Sequence, residues 1–355
     1  MTISKNFILN LLIFILSSLF PVFIFLIYDY YSSQSKSSLQ EFDNGWYELK
    51  KNFDGSDKWG VNFYHIFTDQ NGFRVNSIEK NNRKADYIFL GDSFTFGIGK
   101  DWGDTFVGLF ENATTNKIVN AGTSSYSPTA YLYQYKKALK SNILKNNHSV
   151  IVCLDISDVQ DEASYWIDGN NNPIKRIYVK NDLKKYIRDN FKYSHLILTY
   201  LRDIFINQDD SYLHQRMSVR SAFTFEDWSK LNARDPLDGI GGYAPLGVEG
   251  GLNKIYKKLK EISDITKSNK SKMYILIYPW PNQLIYPQKF NWSNYISNLC
   301  EKINCDGVID AQPIFLKFKN NNINWKDELF INGDVHYSTK GNYLVYEVLK
   351  SYFKE

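Results

Sequence analysis

The chain has 355 residues, enough for one large domain or two small ones, and its hydrophobic fraction of 43% is ordinary for a globular protein. The formal net charge of +4 is spread along the chain without a basic block. This distribution excludes the electrostatic footprint of a nucleic-acid-binding protein.

An apolar segment lies near the N-terminus. Residues 7–28 are interrupted only by two serines, Asn10 and Pro21. As a helix rising about 1.5 Å per residue, this segment would cross a bilayer core. Its length and the lack of an A-x-A cleavage site favour an uncleaved anchor over a signal peptide. Because Lys5 precedes the segment and the next basic residue is Lys36, the positive-inside tendency places the rest of the chain outside the cytoplasm.

The chain is predicted to divide into three parts. Residues 1–30 form a single-pass membrane anchor, and residues 31–84 form a polar tether followed by an irregular or hairpin-like lead-in. Residues 85–355 form one α/β domain. A stretch at about 160–250 is too long for one crossover and is interpreted as a mostly helical insertion.

Short apolar runs alternate with amphipathic helical patterns from residue 85 onward. This alternation predicts a parallel sheet of about five strands with helices on both faces, which is the three-layer α/β/α class. The predicted strands are residues 87–90, 118–120, 150–154, 273–278 and 308–309. The predicted helices are residues 130–144, 252–266, 292–302 and 343–353.

Polar clusters follow the predicted strands, where open α/β sheets bind their ligands. The first is Gly91-Asp92-Ser93-Phe94, and Ser93 can be interpreted either as a helix cap or as a nucleophile beside a helix N-terminus. The last is Gly333-Asp334-Val335-His336, just before the final helix. It offers the base and the carboxylate that a serine nucleophile needs.

Other candidates surround the same predicted edge of the sheet. Gly122 could bring a backbone N–H close to a substrate oxygen, as an oxyanion hole requires, or simply form a loop. Ser157 and Asp158 follow the third predicted strand, where such residues are also ordinary. Tyr278 and Trp280 could line an acyl or sugar site, or only form a rigid turn.

Taken in order, these motifs resemble the SGNH/GDSL hydrolase superfamily from about Ala85 to the C-terminus. Residues 91–93 match the nucleophile block, Gly122 matches the glycine of the second block, and Asp334 with His336 match the closing block. The resemblance implies a flavodoxin-like domain and a catalytic triad of Ser93, His336 and Asp334. It also implies an oxyanion hole that includes the N–H groups of Ser93 and Gly122, and it requires neither a metal nor an organic cofactor.

Two positions depart from the family pattern. Ser157 stands where the third block usually has the asparagine that completes the oxyanion hole. One residue instead of two separates Asp334 from His336, a spacing found both in polysaccharide O-acetyltransferases and in hydrolases of the superfamily.

The sequence therefore predicts a serine-dependent acyl-ester hydrolase that acts outside the cytoplasm on an acylated cell-surface or envelope molecule. The expected partners are an acylated small molecule or polysaccharide and the membrane, with no nucleic acid. An O-acetyltransferase of a surface polysaccharide and a weakly catalytic glycan-binding assembly protein are the alternatives.

The three cysteines add one expectation about the compartment. Cys300 and Cys305 are close enough in sequence to form a small disulfide under oxidising conditions, although two reduced cysteines fit nearly as well. Cys153 lies in an apolar run and is expected to be a buried free thiol.

Overall fold

The computed structural model describes residues 5–34, 39–43, 46–59, 62–77, 84–164 and 246–354, together with short stretches between residues 190 and 243. The chain forms two compact units, which are Met1–Ser38 with Ile177–Asp210, and Leu39–Arg176 with Ser211–Glu355. The insertion predicted at about 160–250 lies largely outside the described residues.

The first unit contains helix α1, Lys5–Gln34, which continues past the predicted end of the anchor at residue 30. Asp29 is buried, and its carboxylate accepts hydrogen bonds from the N–H of Tyr193 at 2.9 Å and from the N–H and hydroxyl of Ser194 at 2.6 Å each. The rings of Tyr28 and Tyr193 stack with their centroids 6.2 Å apart. A buried carboxylate thus ties the end of α1 to a segment 164 residues later. Among the described residues, no helix combines the length and the apolar character needed to span a membrane.

The second unit is organised around β-strands. In chain order they are β1 Gln40–Asp43, β2 Trp46–Leu49, β3 Asp54–Trp59, β4 Asn62–Thr68, β5 Arg74–Val75, β6 Ala85–Leu90, β7 Ile118–Asn120, β8 Leu144–Leu154, β9 Lys272–Ile277 and β10 Gly307–Asp310. β1 and β2 form a separate antiparallel hairpin, and the other eight form one sheet in the order β10-β9-β8-β6-β7-β5-β4-β3.

The sheet is larger than the sequence predicted. The five strands from β6 to β10 are parallel, in agreement with the predicted α/β class. The expected total of about five strands is wrong, because β3, β4 and β5 extend the sheet with antiparallel pairing. These three strands come from the segment that was predicted to be an irregular or hairpin-like lead-in.

The parallel strands are buried on both faces. Ile88, Phe89 and Leu90 of β6 are completely buried, as are Ile151 and Val152 of the neighbouring β8. Continuous burial of successive residues requires helices on both sides of the sheet. Because these strands are parallel, the residues that follow β6, β8 and β9 meet at the same edge.

Helices cover this sheet. They are α2 Ser93–Phe96, α3 Phe106–Ala113, α4 Pro128–Lys140, α5 Asp158–Ser164, α6 Gly247–Ser268, α7 Pro281–Ile285, α8 Trp292–Ile303, α9 Gln312–Asn321, α10 Trp325–Leu329 and α11 Thr339–Phe353. Helix α6 buries Ile255, Leu259 and Ile262, whose spacing of three to four residues places them on one side of the helix. Helix α3 packs with α11, whereas α6 packs with α4, α5 and α8, so the helices form two groups.

A second hydrophobic cluster joins the antiparallel strands to the turn after β6. Tyr64 and Ile66 of β4 pack with Phe96 and Ile98 in this cluster. Arg74 is fully buried beside it and donates to the carbonyl oxygens of Gly97 at 3.0 Å and Lys100 at 2.6 Å. Burial lowers the pKa of Arg74 to about 10, so the guanidinium stays charged at neutral pH. The antiparallel strands therefore fix the chain just beyond Ser93.

Candidate active site

Ser93 is placed by the end of the central strand β6. The strand ends at Leu90, and the single-turn helix α2 begins at Ser93. The cap of α2 is Asp92, whose carboxylate accepts a hydrogen bond from the N–H of Phe94 at 2.9 Å. The capping role considered for Ser93 thus belongs to its neighbour. The hydroxyl of Ser93 is available for another partner.

The turn before Ser93 depends on a close approach that only glycine allows. A Cβ at Gly91 would lie 2.0 Å from Oγ1 of Thr95 and 3.0 Å from Cβ of Cys153. Any side chain there would push α2 away from β8. Gly91 therefore lets the chain double back and present Ser93 at the edge of the sheet.

His336 and Asp334 reach Ser93 from the other end of the chain. The Nε2 of His336 lies 2.7 Å from the Ser93 Oγ, and the Nδ1 of His336 lies 2.6 Å from Oδ1 of Asp334. Both residues belong to a tight turn, in which Ile331 donates its N–H to the carbonyl of His336 at 2.8 Å. The structure thus brings the three predicted triad residues into one chain of hydrogen bonds.

The carboxylate of Asp334 is held by several donors. Its Oδ1 also accepts the N–H groups of Val335 at 2.6 Å and His336 at 3.0 Å, and its Oδ2 accepts the indole N–H of Trp59 at 2.6 Å. Burial alone would raise the pKa of Asp334, but the charge of His336 and the hydrogen bonds from His336 and Trp59 outweigh it and lower the pKa to about 2. Asp334 is therefore ionised at neutral pH. An ionised acceptor at Nδ1 leaves Nε2 as the nitrogen that can accept a proton.

The imidazole of His336 lies between aromatic rings. The ring of Phe94 packs on it with a centroid separation of 4.8 Å, and Trp59 meets it edge to face at 5.2 Å. Only 7% of the His336 side chain is exposed. This packing restricts the ring to one orientation and excludes most of the surrounding water.

Gly122 does not present a free donor. Its N–H donates to Oδ1 of Asn120 at 2.9 Å, and the amide of Asn120 donates to the carbonyl of Thr95 at 2.8 Å. A Cβ at Gly122 would lie 2.5 Å from the backbone nitrogen of Phe96. The glycine therefore allows the loop after β7 to pack directly on α2. The N–H that was predicted to donate to the oxyanion thus already has an acceptor in the side chain of Asn120, and its role in an oxyanion hole stays a prediction.

Ser157 is buried in the loop after β8. It is 2% exposed, and its N–H donates to Oδ1 of Asp155 at 2.7 Å. In the loop after β7, Ser125 has a positive φ of 60°, which is uncommon for a residue with a side chain. The residues around Ser125 carry no sequence signal for this conformation.

The three residues predicted to line a substrate site are buried. Asp158 is 1% exposed, Tyr278 0% and Trp280 3%. Asp158 accepts a hydrogen bond from the hydroxyl of Tyr131 at 2.8 Å, and the indole of Trp280 donates to Asp155 at 3.0 Å. All three side chains are therefore packed inside the second unit, and their predicted contact with a substrate stays a prediction.

Burial also raises the pKa values of carboxyl groups in this region. The pKa of Asp92 and that of Asp158 are raised, first by burial and then by the charge of Asp155. Among these acids only Asp92 approaches the nucleophile, with Oδ2 3.4 Å from the Ser93 Oγ. The hydrogen bond between the Ser93 hydroxyl and His336 Nε2 is shorter, at 2.7 Å, and is therefore the stronger of the two.

The cysteines are divided between two roles. Cys300 and Cys305 are joined by a disulfide at the end of α8. Cys153 is a buried free thiol whose pKa is raised by burial, so it is held as the neutral thiol.

No family model matches the chain, and no curated protein matches it. Several solved structures do match. An acetyl xylan esterase, AlAXEase, is 16% identical over 75% of this chain and 98% of its own, with a TM-score of 0.39. The acetylxylan esterase Axe2 from Geobacillus stearothermophilus is 11% identical over 76% of this chain and 94% of its own, with a TM-score of 0.40.

A member of the lipolytic G-D-S-L family from Veillonella parvula is 12% identical over 76% of this chain and 98% of its own, with a TM-score of 0.39. At this level of identity and TM-score, these similarities establish neither the family nor the activity of this chain. Its function has to be argued from the geometry around Ser93.

Proposed function

We propose that this protein is a serine-dependent acyl-ester hydrolase, with Ser93 as the nucleophile, His336 as the general base and Asp334 as the group that orients the imidazole. The observation that carries the proposal is the pair of hydrogen bonds from Ser93 Oγ to His336 Nε2, at 2.7 Å, and from His336 Nδ1 to Asp334, at 2.6 Å. A serine hydroxyl becomes a useful nucleophile when a positioned base removes its proton.

The first half of the reaction forms an acyl-enzyme. The Ser93 proton moves to Nε2 of His336 while Oγ attacks the acyl carbonyl and forms a tetrahedral oxyanion. His336 then gives that proton to the departing alcohol oxygen as the ester C–O bond breaks. Asp334 stays ionised and stabilises the imidazolium that forms between these steps.

Water completes the cycle. His336 removes a proton from water, whose oxygen attacks the acyl group on Ser93, and the bond to Oγ breaks as Ser93 regains its proton. The products are an alcohol and a carboxylic acid.

The oxyanion needs at least one donor at this position. The N–H of Ser93 is among the first N–H groups of α2, which have no acceptor within their own helix. We assign it as one donor. The Ser157 hydroxyl is the second candidate, and Gly122 can contribute only by sharing its N–H with Asn120.

A fluorophosphonate probe tests the assignment of Ser93. We expect the full-length protein to be labelled and Ser93→Ala to be unlabelled, whereas Ser268→Ala, which changes an exposed serine on α6, reacts like the wild type. Labelling that persists in Ser93→Ala, or wild-type protein that never reacts, would overturn the proposal.

The acyl acceptor defines an alternative. A sugar hydroxyl in place of water would make the enzyme an O-acetyltransferase, and the one-residue spacing between Asp334 and His336 is compatible with it. Purified full-length protein would be given an activated acetyl ester with and without candidate acceptor glycans. Acetate release that glycan leaves unchanged, with no acetylated glycan formed, supports the hydrolase. Acetylated glycan formed at the expense of acetate supports the transferase.

We further propose that the protein is membrane-attached and that the second unit acts outside the cytoplasm on an acylated envelope molecule. Two observations support this. Apolar side chains of α1, among them Leu19, Phe20 and Phe23, are more than half exposed, and large exposed apolar surfaces are typical of membrane or partner contacts. The disulfide between Cys300 and Cys305 suits an oxidising compartment.

Cell fractionation and N-terminal sequencing of the mature protein test this location. We expect the intact chain, beginning near Met1, in the membrane fraction after alkaline washing, with the second unit accessible to external protease in spheroplasts. Release by alkali, or protection from that protease, would contradict the proposal. A mature N-terminus beyond residue 28 would show that the segment is cleaved.

A further inference from the structure

A tryptophan of the antiparallel strands contacts two residues from the opposite end of the chain. Trp59, the last residue of β3, donates its indole N–H to Oδ2 of Asp334 at 2.6 Å. Its ring also meets the ring of His336 at a centroid distance of 5.2 Å and an interplanar angle of 87°. Both members of the base–carboxylate pair are therefore in contact with one side chain.

The two oxygens of Asp334 are held by different parts of the molecule. Oδ1 accepts its three hydrogen bonds from Val335 and His336, which belong to the same turn. Oδ2 accepts the hydrogen bond of Trp59, which comes from a separate strand 275 residues away. A carboxylate bound through only one oxygen can rotate, whereas donors on both oxygens fix its plane.

Trp59 is itself held firmly. It packs against the cluster formed by Tyr64, Ile66, Phe96 and Ile98 and is paired with Asn62 in the antiparallel ladder of β3 and β4. The loop after α2 also lies beside Trp59, since a Cβ at Gly99 would be 3.4 Å from the Cβ of Trp59, an ordinary van der Waals contact. An indole held in this way has little freedom to follow a moving carboxylate.

We infer that Trp59 is a positioning residue of the proposed esterase, whose indole N–H fixes the carboxylate plane of Asp334 and shares its negative charge. The hydrogen bond from Trp59 partly neutralises the carboxylate of Asp334 and so weakens its attraction for the protonated imidazole of His336. Trp59 thereby keeps the imidazole oriented without making the imidazolium too stable to return its proton. This inference rests on the proposed function.

The other charged groups around this site have hydrogen-bond partners other than Trp59. Asp92 approaches Ser93 Oγ from the turn after β6, and Lys100, from the loop packed against β3 and β4, donates to the Thr339 hydroxyl at 3.2 Å. Asp57 of β3 accepts from Tyr64 at 3.2 Å, and Arg74 binds backbone carbonyls. A change in the pH profile of a Trp59 variant therefore reports on the bond to Asp334.

The test compares two tryptophans that make the same kind of hydrogen bond. Trp59→Phe keeps an aromatic ring and removes the N–H. Trp102→Phe is the matched control, since Trp102 donates its Nε1 to Glu111 at 3.0 Å in a region outside the proposed triad. Hydrolysis of an activated acetyl ester and the rate of fluorophosphonate labelling are measured from pH 5 to 9 with full-length protein. Rates are expressed per titrated site, so that unfolded protein lowers the amplitude and not the rate constant.

For Trp59→Phe we expect kcat/KM to fall about tenfold, mostly through kcat, because one hydrogen bond to a charged group is lost. The acid limb of the kcat/KM profile should move to higher pH by about half a unit, since Asp334 then holds the imidazolium more strongly. Trp102→Phe should lower thermal stability but leave the acid limb in place.

The outcomes separate the two proposals. Wild-type protein that neither hydrolyses esters nor reacts with the probe overturns both. Active wild type together with Trp59→Phe of unchanged rate and acid limb overturns only the role of Trp59. An equal shift of the acid limb in Trp102→Phe would likewise show that the effect is not specific to Trp59.

Discussion

Replacement of Asp334 by asparagine removes one charge from the site and keeps its shape. Oδ1 accepts three hydrogen bonds and Oδ2 accepts one, so the asparagine oxygen should take the Oδ1 position. Its NH2 then faces the indole N–H of Trp59, and because both groups are donors that single hydrogen bond is lost. The Nδ1 proton of His336 then keeps an acceptor, and the histidine keeps its tautomer. The main loss is the negative charge beside the imidazolium.

The size of that loss follows from the distance. Nδ1 and Oδ1 are 2.6 Å apart, so the centres of the two charges are separated by roughly 4 Å. At an effective dielectric constant of about 20, such a pair is worth about 4 kcal/mol. Because each 1.4 kcal/mol corresponds to about a factor of ten, kcat should fall by about 10³.

The assay is hydrolysis of an activated acetyl ester at pH 7.5, with Glu111→Gln as the control. Glu111 accepts the indole N–H of Trp102, so this control neutralises a similarly bound carboxylate elsewhere. We expect its kcat to stay within about twofold of the wild type. If Asp334→Asn loses less than tenfold in kcat, the charge of Asp334 does not support the reaction and the argument for a triad fails.

Three further predictions concern stability and packing. The pKa of Asp334 is lowered from 3.8 to about 2, so the ionised carboxylate stabilises the folded state above pH 4 by about 2 kcal/mol. This contribution is lost as the pH falls through 2. The free energies of unfolding in urea of the wild type and Asp334→Asn should therefore become equal near pH 2. Gly122→Ala should cost about 1–3 kcal/mol and lower kcat, because the new Cβ meets the backbone of Phe96, whereas Gly103→Ala, with nothing within 4 Å, should do neither. Replacing Cys300 and Cys305 by serine should lower the free energy of unfolding by about 2 kcal/mol, and dithiothreitol should abolish the difference; equal stability without reductant would contradict the pairing.

The parallel half of the sheet could be predicted because its strands are continuous apolar runs. Strand β7 has the predicted bounds, Ile118–Asn120, and β9 and β10 differ from prediction by one residue at each end. Their burial on both faces leaves a signal that does not depend on neighbouring elements.

Strand β3 of the antiparallel part gave no such signal. Strand β3 has the sequence Asp-Gly-Ser-Asp-Lys-Trp and is partly or fully exposed along its length, so neither alternation nor β-propensity marks it as a strand. Its pairing with β4 decides its conformation, and that is a tertiary effect. Trp59 was missed for the same reason.

The details of the site depend on which of several nearby polar side chains accepts each backbone N–H, and the sequence does not distinguish among them. Asp92 rather than Ser93 caps α2, and Asn120 takes the N–H of Gly122. Both acceptors are short polar side chains within two residues of the donor, and such side chains are equally common in turns without these bonds. The residue types were enough to predict a serine, a base and an acid. Which acceptor takes each backbone N–H group could be read only from the three-dimensional structure.

The distances along the chain between the site residues also govern when the site can form. Ser93 and His336 are 243 residues apart, and Trp59 and Asp334 are 275 apart. At synthesis rates of about 5–20 residues per second, Ser93 is made roughly 10–50 s before His336, its proposed base. Contacts of such high sequence separation also form late in folding, after the loop between them has closed. Under the proposed mechanism, a nascent or truncated chain therefore carries an ordinary serine, and reactivity toward esters begins only when the C-terminal turn docks onto the finished sheet.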